Sequence, residues 1–284
     1  MGKLLSSCIR SILTLAQCTY INFSRRGMLM RIDEALILAA GLSTRLKAQG
    51  ILTPKFALEV KKAPLIWYPL NSLMRCKVDR FVIVVAEVYL DIAKELVDNY
   101  FTDVEVNLVS NKFPNRGNGY SLILGSSYVE SEKFYVSMAD HVYPPEMPVK
   151  MLEDYMKFGE PDILVGGDSK PKFIDVAEAT KILADEDGSL MLIGKHIEKF
   201  NYIDVGLFIM KNSAIDLIRD LEREADDLNL SKLITKAKSK GLRVQVSDVT
   251  GILWTEVDTY EDYISLISGK RREALLNYLE NLRC

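Results

Sequence analysis

Histidine and cysteine are scarce in this chain, with two of the first and four of the second among 284 residues. Cys8, Cys18, Cys76 and Cys284 form no C-x-x-C pair and have no histidine beside them. That argues against a zinc cluster or a disulfide framework and points to the reduced thiols of a cytoplasmic protein. No Ser/His or Cys/His pair offers an activated nucleophile. Beyond residue 30 no window reaches the 18 apolar residues a membrane-crossing helix requires. Positive charge is not in excess: 36 Lys and Arg against 39 Asp and Glu give a net charge of -3, so no nucleic-acid partner is expected. Repeats, low-complexity tracts and a Pro/Gly/Ser-rich linker are missing as well. One domain over 31–284, with lobes at about 31–168 and 169–284, is expected rather than two free domains.

The first thirty residues break the even balance of charge. They hold Lys3, Arg10, Arg25 and Arg26 and no acid. Arg10 interrupts the apolar centre that a signal peptide requires. Residues 1–30 are read as an extension outside the core, a transit peptide or membrane-surface helix being the alternative.

What is present is regular. Ala35–Ala40 is a continuous apolar run, fit for a strand buried on both faces, and strand-like runs follow at Phe81–Ala86, Val104–Val109, Phe134–Ala139 and Asp162–Gly167. Helical periodicity fills the gaps at Leu65–Met74, Tyr89–Asn99, Tyr120–Val129 and Met147–Phe158. Strand and helix in alternation imply right-handed crossovers, an α/β fold and a mostly parallel sheet with its ligand at the strands' carboxyl ends. After Lys170 the pattern turns to strands with a turn at Asp187-Gly188. Helices are expected over Ser213–Arg223 and Leu230–Lys240, strands in LRVQVSDV and GILWTEV, and one closing helix over Tyr260–Leu282.

Chemistry-bearing residues gather after the strands. LAAGLSTRLKAQGILTPK (Leu38–Lys55) places Gly41, Arg45, Lys47 and Lys55 in one loop. Bare backbone, an arginine fork and a lysine point charge suit an anion. Solvated cations at a helix start would explain the spacing equally well, and neither familiar phosphate loop, G-x-G-x-x-G or G-x-x-x-x-G-K-[ST], is present. In RGNGYSLILG (Arg116–Gly125), Gly117 and Gly119 flank Asn118, which suits a flat polar edge such as a nucleobase or, more simply, a flexible turn. Asp140 ends an apolar strand, where a carboxylate is a hard ligand for Mg²⁺ or a turn residue. His141, with no visible relay partner, is read as structural. Glu256 and Asp258 alternate on one strand face, and Asp262 is explained by a cap on a helix starting at Thr259. Glu178, Lys181 and Lys195 lie in the β segment, Lys195 inside an apolar strand where lysine is uncommon unless paired or aimed at a ligand.

Taken in order, these segments resemble the sugar-phosphate-type nucleotidyltransferases, and within them the CTP:inositol-1-phosphate cytidylyltransferase family. LAAGLSTRL…TPK is similar to their opening signature; GNGYSL, MADHVY, PKFIDVAEATKI, IGK, DVGLFI and LWTEVDTYED are narrower. The resemblance covers roughly Glu34 to Leu266. It implies a Rossmann-like nucleotidyltransferase fold, helices on both faces of the sheet, and a mixed β/α acceptor lobe. It further implies transfer of CMP from CTP to inositol 1-phosphate with Mg²⁺. Arg45, Lys55 and Lys195 would be catalytic. Leu38, Ala39, Gly41, Ser43 and Thr44 would hold CTP with Asn118, Gly119 and Ser121; Glu178, Lys181 and Asp204 would line the acceptor site; Asp140, Glu256 and Asp258 would bind the metal.

Two departures stand out: Ser43 replaces a usual second glycine, and Glu256 replaces a commoner Asp. Some relatives carry a fused membrane-embedded CDP-alcohol transferase, so a separate membrane partner is expected here, for a monomer or homodimer. The alternatives are the same transfer to a sugar 1-phosphate or phosphocholine, and a nucleotide-binding subunit without turnover. The last predicts missing acids or a missing loop lysine, yet Lys55, Asp140 and Asp258 are all present.

Overall fold

The computed structural model of the protein describes residues 31–221 and 227–281; the extension expected over 1–30 lies outside the described residues. The apolar run after Asp33 forms strand β1 (Glu34–Ala39), buried at every position. Ala35, Ile37 and Ala39 enter one core cluster while Leu36 and Leu38 enter another, so both faces are covered and no polar alternation arises. β2 (Arg80–Ala86), β3 (Glu105–Asn111) and β4 (Lys133–Met138) follow. β1 pairs in parallel with β2 and β4, and β3 lies parallel beyond β2.

β5 (Ile163–Asp168), β6 (Lys181–Ala184), β7 (Leu190–Gly194), β8 (Tyr202–Lys211) and β9 (Val244–Asp248) complete a nine-stranded sheet. Its order is β7-β6-β8-β4-β1-β2-β3, with β5 pairing β8 and β9 pairing β5. Only β8 and β7 run against the common direction, so the sheet is mostly parallel in sense. Because β1 has β2 on one side and β4 on the other, the chain switches direction of travel there. The carboxyl ends of β1 and β4 therefore frame a crevice.

The first helix, α1 (Thr44–Ala48), is short. α2 (Trp67–Arg75), α3 (Leu90–Tyr100) and α5 (Glu146–Lys157) cover one face of the sheet through Leu70, Leu73, Ala93, Met151 and Tyr155. α4 (Asn118–Ser126), α6 (Asn212–Ile218) and α7 (Leu230–Ser239) cover the other through Leu122, Ile215 and Leu233. A satellite core of Leu46, Val60, Tyr68, Val142, Val257, Leu266 and Leu275 attaches α8 (Tyr260–Ser268) and α9 (Lys270–Asn281) beside the crevice.

Three expectations need correction. The closing helix is broken into α8 and α9 at Gly269, whose backbone is extended and whose Cβ, were there one, would lie 2.9 Å from Ser265 Cα. Of GILWTEV only Thr255–Glu256 is strand, paired antiparallel with His141–Val142, because Trp254 turns inward and its Nε1–H donates to Asp168 Oδ2 at 2.9 Å. The helix expected over 213–223 is α6, and residues 222–226 lie outside the described residues.

Candidate active site

The crevice is a cavity of about 760 Å³. Leu38, Ala39, Gly41, Lys55, Asn118, Ser121, Asp140, Lys195, Asp204, Glu256 and Asp258 line it, so most of the expected site residues come together. The loop after β1 reaches it first. A Cβ on Gly41 would meet nothing within 4 Å, which leaves the backbone open to a ligand. Ser43 sits at φ 56, in the left-handed region, and its Oγ accepts the Lys55 backbone N–H at 2.7 Å. One hydroxyl thus ties the start of the loop to its end.

Lys55 spans the acids. Its Nζ contacts Asp140 Oδ2 and lies 2.6 Å from Asp258 Oδ1. Arg45 reaches the same group from outside, 3.5 Å from Asp258 Oδ2 and 3.2 Å from Glu178 Oε2. Asp140 follows β4, and Asp258 follows the two-residue strand Thr255–Glu256, fixed by the antiparallel ladder and by a Thr259/Asp262 capping box on α8. Arg271 of α9 donates to Glu256 O at 2.6 Å and pairs with Asp262. The broken closing helix therefore fastens the loop that carries Asp258.

Other expected residues have different placements. Gly119 is not at the cavity: its N–H donates to Leu228 O at 2.9 Å, and a Cβ there would lie 2.8 Å from the same oxygen. Its bareness admits the 228–229 backbone rather than a base. Asn118 lines the cavity, but its Oδ1 accepts Leu230 N–H at 2.9 Å. Ser121 Oγ accepts from Asn111 Nδ2 at 3.0 Å. Lys181 turns away, donating to Lys195 O at 2.9 Å with its Nζ 5.8 Å from the Phe200 ring centre. Lys195 lies just past the end of β7 rather than within the strand, and among the described residues its ammonium has no ion-pair partner. Thr44 begins α1 and, like Ser43, does not line the cavity.

A family model for the MobA-like NTP transferase domain matches residues 35–226. The chain belongs to that family. This nucleotidyltransferase resembles the solved inositol-1-phosphate CTP transferase from T. maritima at a TM-score of 0.79 and 33% identity, covering 90% of this chain and 100% of that one. It is also 34% identical over 233 residues to the bifunctional IPC transferase and DIPP synthase of Archaeoglobus fulgidus, covering 82% of this chain and 43% of that protein. The protein of the same name from Thermococcus kodakarensis is 31% identical over 231 residues, 81% of this chain and 49% of the relative. The chain thus spans about half the length of these curated relatives.

The electrostatics of the transferase site are set by pairing at depth. Burial alone would raise the Asp140 carboxyl, but the Lys55 ammonium and the His141 hydrogen bond hold it well below the usual carboxylate range. Burial would lower Lys55, and the two acids outweigh it and hold the ammonium above its usual value. Burial, reinforced by Asp258 and Asp140, pushes Glu256 up to about 7 against the pull of His141. It pushes Asp204 up to about 6, although the Gly206 N–H donates to Asp204 Oδ1.

Among the described residues no three His, Cys, Asp or Glu side chains converge as a ready cage for a metal. Asp140 and Asp258 instead share one cation, Lys55. Such a donor set fits Mg²⁺, which is bound through one or two carboxylates plus substrate phosphates rather than by an all-protein cage. Glu256 is turned to His141, its Oε2 3.4 Å from Nε2. His141, read from sequence as structural, lines the cavity, and its side-chain partners lie beside it and over a hundred residues away. Asn229, Leu230 and Ser231 also line the cavity and carried no signal in the sequence beyond a helix start.

Proposed function

We propose that this chain transfers CMP from CTP to inositol 1-phosphate in the cytoplasm, releasing pyrophosphate and forming CDP-inositol. One observation carries the reading: a single cavity receives cationic side chains from opposite parts of the sheet. Lys55 comes from the β1 side with its two carboxylates, and Lys195 comes from beyond β7 with Asp204 of β8 between them. Two anions brought together need that arrangement, and the likeness to a solved inositol-1-phosphate CTP transferase supports the choice of anions.

A phosphate oxygen of the acceptor attacks the α-phosphorus of CTP. The new P–O bond forms as the α–β bridging bond breaks, and its electron pair leaves with pyrophosphate. The attacking oxygen is already anionic at neutral pH, so no general base is required. The loop backbone at Gly41 and the Arg45 and Lys55 side chains hold the triphosphate; Lys195 holds the acceptor phosphate; Asp204, with one oxygen taken by Gly206 N–H, turns the other to acceptor hydroxyls. Asp140 and Asp258, with Glu256, would hold Mg²⁺, which when bound supplies charge neutralisation at the phosphates. The protein's share is in-line positioning and suppression of anion repulsion. Choline would call for an aromatic cage, whereas among the described residues the only Phe, Tyr or Trp rings lining the cavity are Phe56 and Phe208. A membrane enzyme that consumes a CDP-alcohol is the fitting partner for the product.

Pyrophosphate release from CTP and Mg²⁺ is to be followed with inositol 1-phosphate, phosphocholine and several sugar 1-phosphates at equal concentration. Inositol 1-phosphate should lead. Equal or faster release with another acceptor would remove it as the substrate, and CTP binding without release under any acceptor would favour a non-catalytic subunit.

A further inference from the structure

His141 is 5% exposed, and its side-chain polar contacts run to two acids. Both ring nitrogens face carboxylates. Nδ1 lies 2.7 Å from Asp140 Oδ1, and Nε2 lies 3.4 Å from Glu256 Oε2. The register explains how: His141 and Glu256 are directly opposed in the two-residue ladder, and cross-strand neighbours share a face. The ring is held from above and below. It stacks on Trp254, centroids 5.7 Å apart and planes 9° from parallel, and Trp254 is itself anchored on Asp168. Gly206, at the irregularity in β8, lies so close that a Cβ would be 2.5 Å from His141 Nε2. A ring with so little freedom fixes whatever hydrogen-bonds to it.

We propose that His141 is a positioning residue for the acid pair: its ring clamps Asp140 and Glu256 from behind, committing Asp140 Oδ1 to the clamp and presenting Asp140 Oδ2 to the cation side of the cavity. The inference rests on the reading of Asp140 as a metal-binding carboxylate. A carboxylate free to rotate would offer either oxygen and lose order on binding a metal; the clamped one has its orientation set beforehand. Histidines that orient carboxylates, and carboxylates that orient histidines, act on metal affinity through the same kind of restraint.

The test uses His141→Phe, which keeps a ring for Trp254 and deletes the Asp140 hydrogen bond and the Glu256 contact, His141→Asn, whose amide replaces the Nδ1 donor, and Asp140→Asn. Mn²⁺ bound to the protein in the presence of CTP is measured by electron paramagnetic resonance, beside thermal unfolding of the metal-free protein. His141→Phe should weaken Mn²⁺ binding about 10- to 100-fold, and His141→Asn should recover at least half of that loss on a logarithmic scale. Lowered thermal stability with unchanged Mn²⁺ affinity would make His141 structural and overturn the proposal. Wild-type Mn²⁺ affinity in Asp140→Asn would overturn the metal reading beneath it, a separate result. Should His141→Phe fail to fold, ring ¹⁵N resonances of the wild-type protein serve instead, assigned with His196→Gln because the chain has only two histidines. His141 resonances should shift when Mg²⁺ is added to the CTP-bound protein, and their constancy would overturn the clamp.

Discussion

Asp140 meets Lys55 on one oxygen and His141 on the other, so its amide variant tests charge while keeping shape. Asp140→Asn should lower pyrophosphate release at least a thousandfold, about 4 kcal/mol of transition-state stabilisation; a loss under tenfold in a coupled assay would remove it from the chemistry. Ser43 poses a different question, since it combines a left-handed backbone with a hydrogen bond to Lys55 N–H. The backbone costs about 1–2 kcal/mol in any residue but glycine, and the hydrogen bond returns about 0.5–1.5 kcal/mol. Ser43→Ala keeps the cost and loses the bond, and should be less stable than the wild type by about 1 kcal/mol. Ser43→Gly loses both and should unfold within about 1 kcal/mol of it. Chemical denaturation of the two variants decides this, and equal destabilisation would mean the hydroxyl contributes nothing. In sequence Ser43 was visible as a departure from a pattern; its partner, twelve residues on, was not.

At the scale of elements, α4 fits closely on the sheet. A Cβ at Gly125 would lie 2.4 Å from Leu36 Cδ1 and 2.6 Å from Val84 Cγ2. Gly125→Ala should therefore destabilise the protein by about 1–3 kcal/mol through overpacking, read as a shift in denaturation midpoint. Apolar strand runs and helical periodicity made β1 to β5 and α2 to α5 legible before any coordinates, because each is specified by its own local pattern, although β3, at the sheet's edge, is half-exposed along most of its length. The Asp187-Gly188 turn was legible too, and Gly188 adopts φ 78 between β6 and β7. What local pattern missed depends on distant partners. GILWTEV has strand composition but loses its first half to the Trp254–Asp168 bond. The break at Gly269 follows from packing on Ser265. Gly119 looked like a place for a base because nothing in the sequence near it announces the 228–229 segment that occupies the space.

For the whole molecule, the site is a burden on stability. The folded protein holds Asp204 at about 6, above its ordinary 3.8, so the native state binds that proton more tightly than the unfolded chain. The resulting stability is fully present below the unfolded value and is lost as pH rises through about 6. Asp204→Asn should flatten this fall, leaving the variant more stable than wild type at pH 7 but poorer with the acceptor, an exchange common at functional sites. A wild-type fall that persists unchanged in the variant would assign it elsewhere. Lys55 carries the last consequence. Its ammonium sits between Asp140 and Asp258, as an internal counterion. On the proposed reading of the site, a divalent ion would displace it and a triphosphate would draw it away, so each ligand would prepare the place of the other. Such linkage is reciprocal in free energy. Lys55→Ala should then bind Mn²⁺ more tightly than wild type without nucleotide while binding CTP more weakly, so that one substitution moves the two affinities in opposite directions.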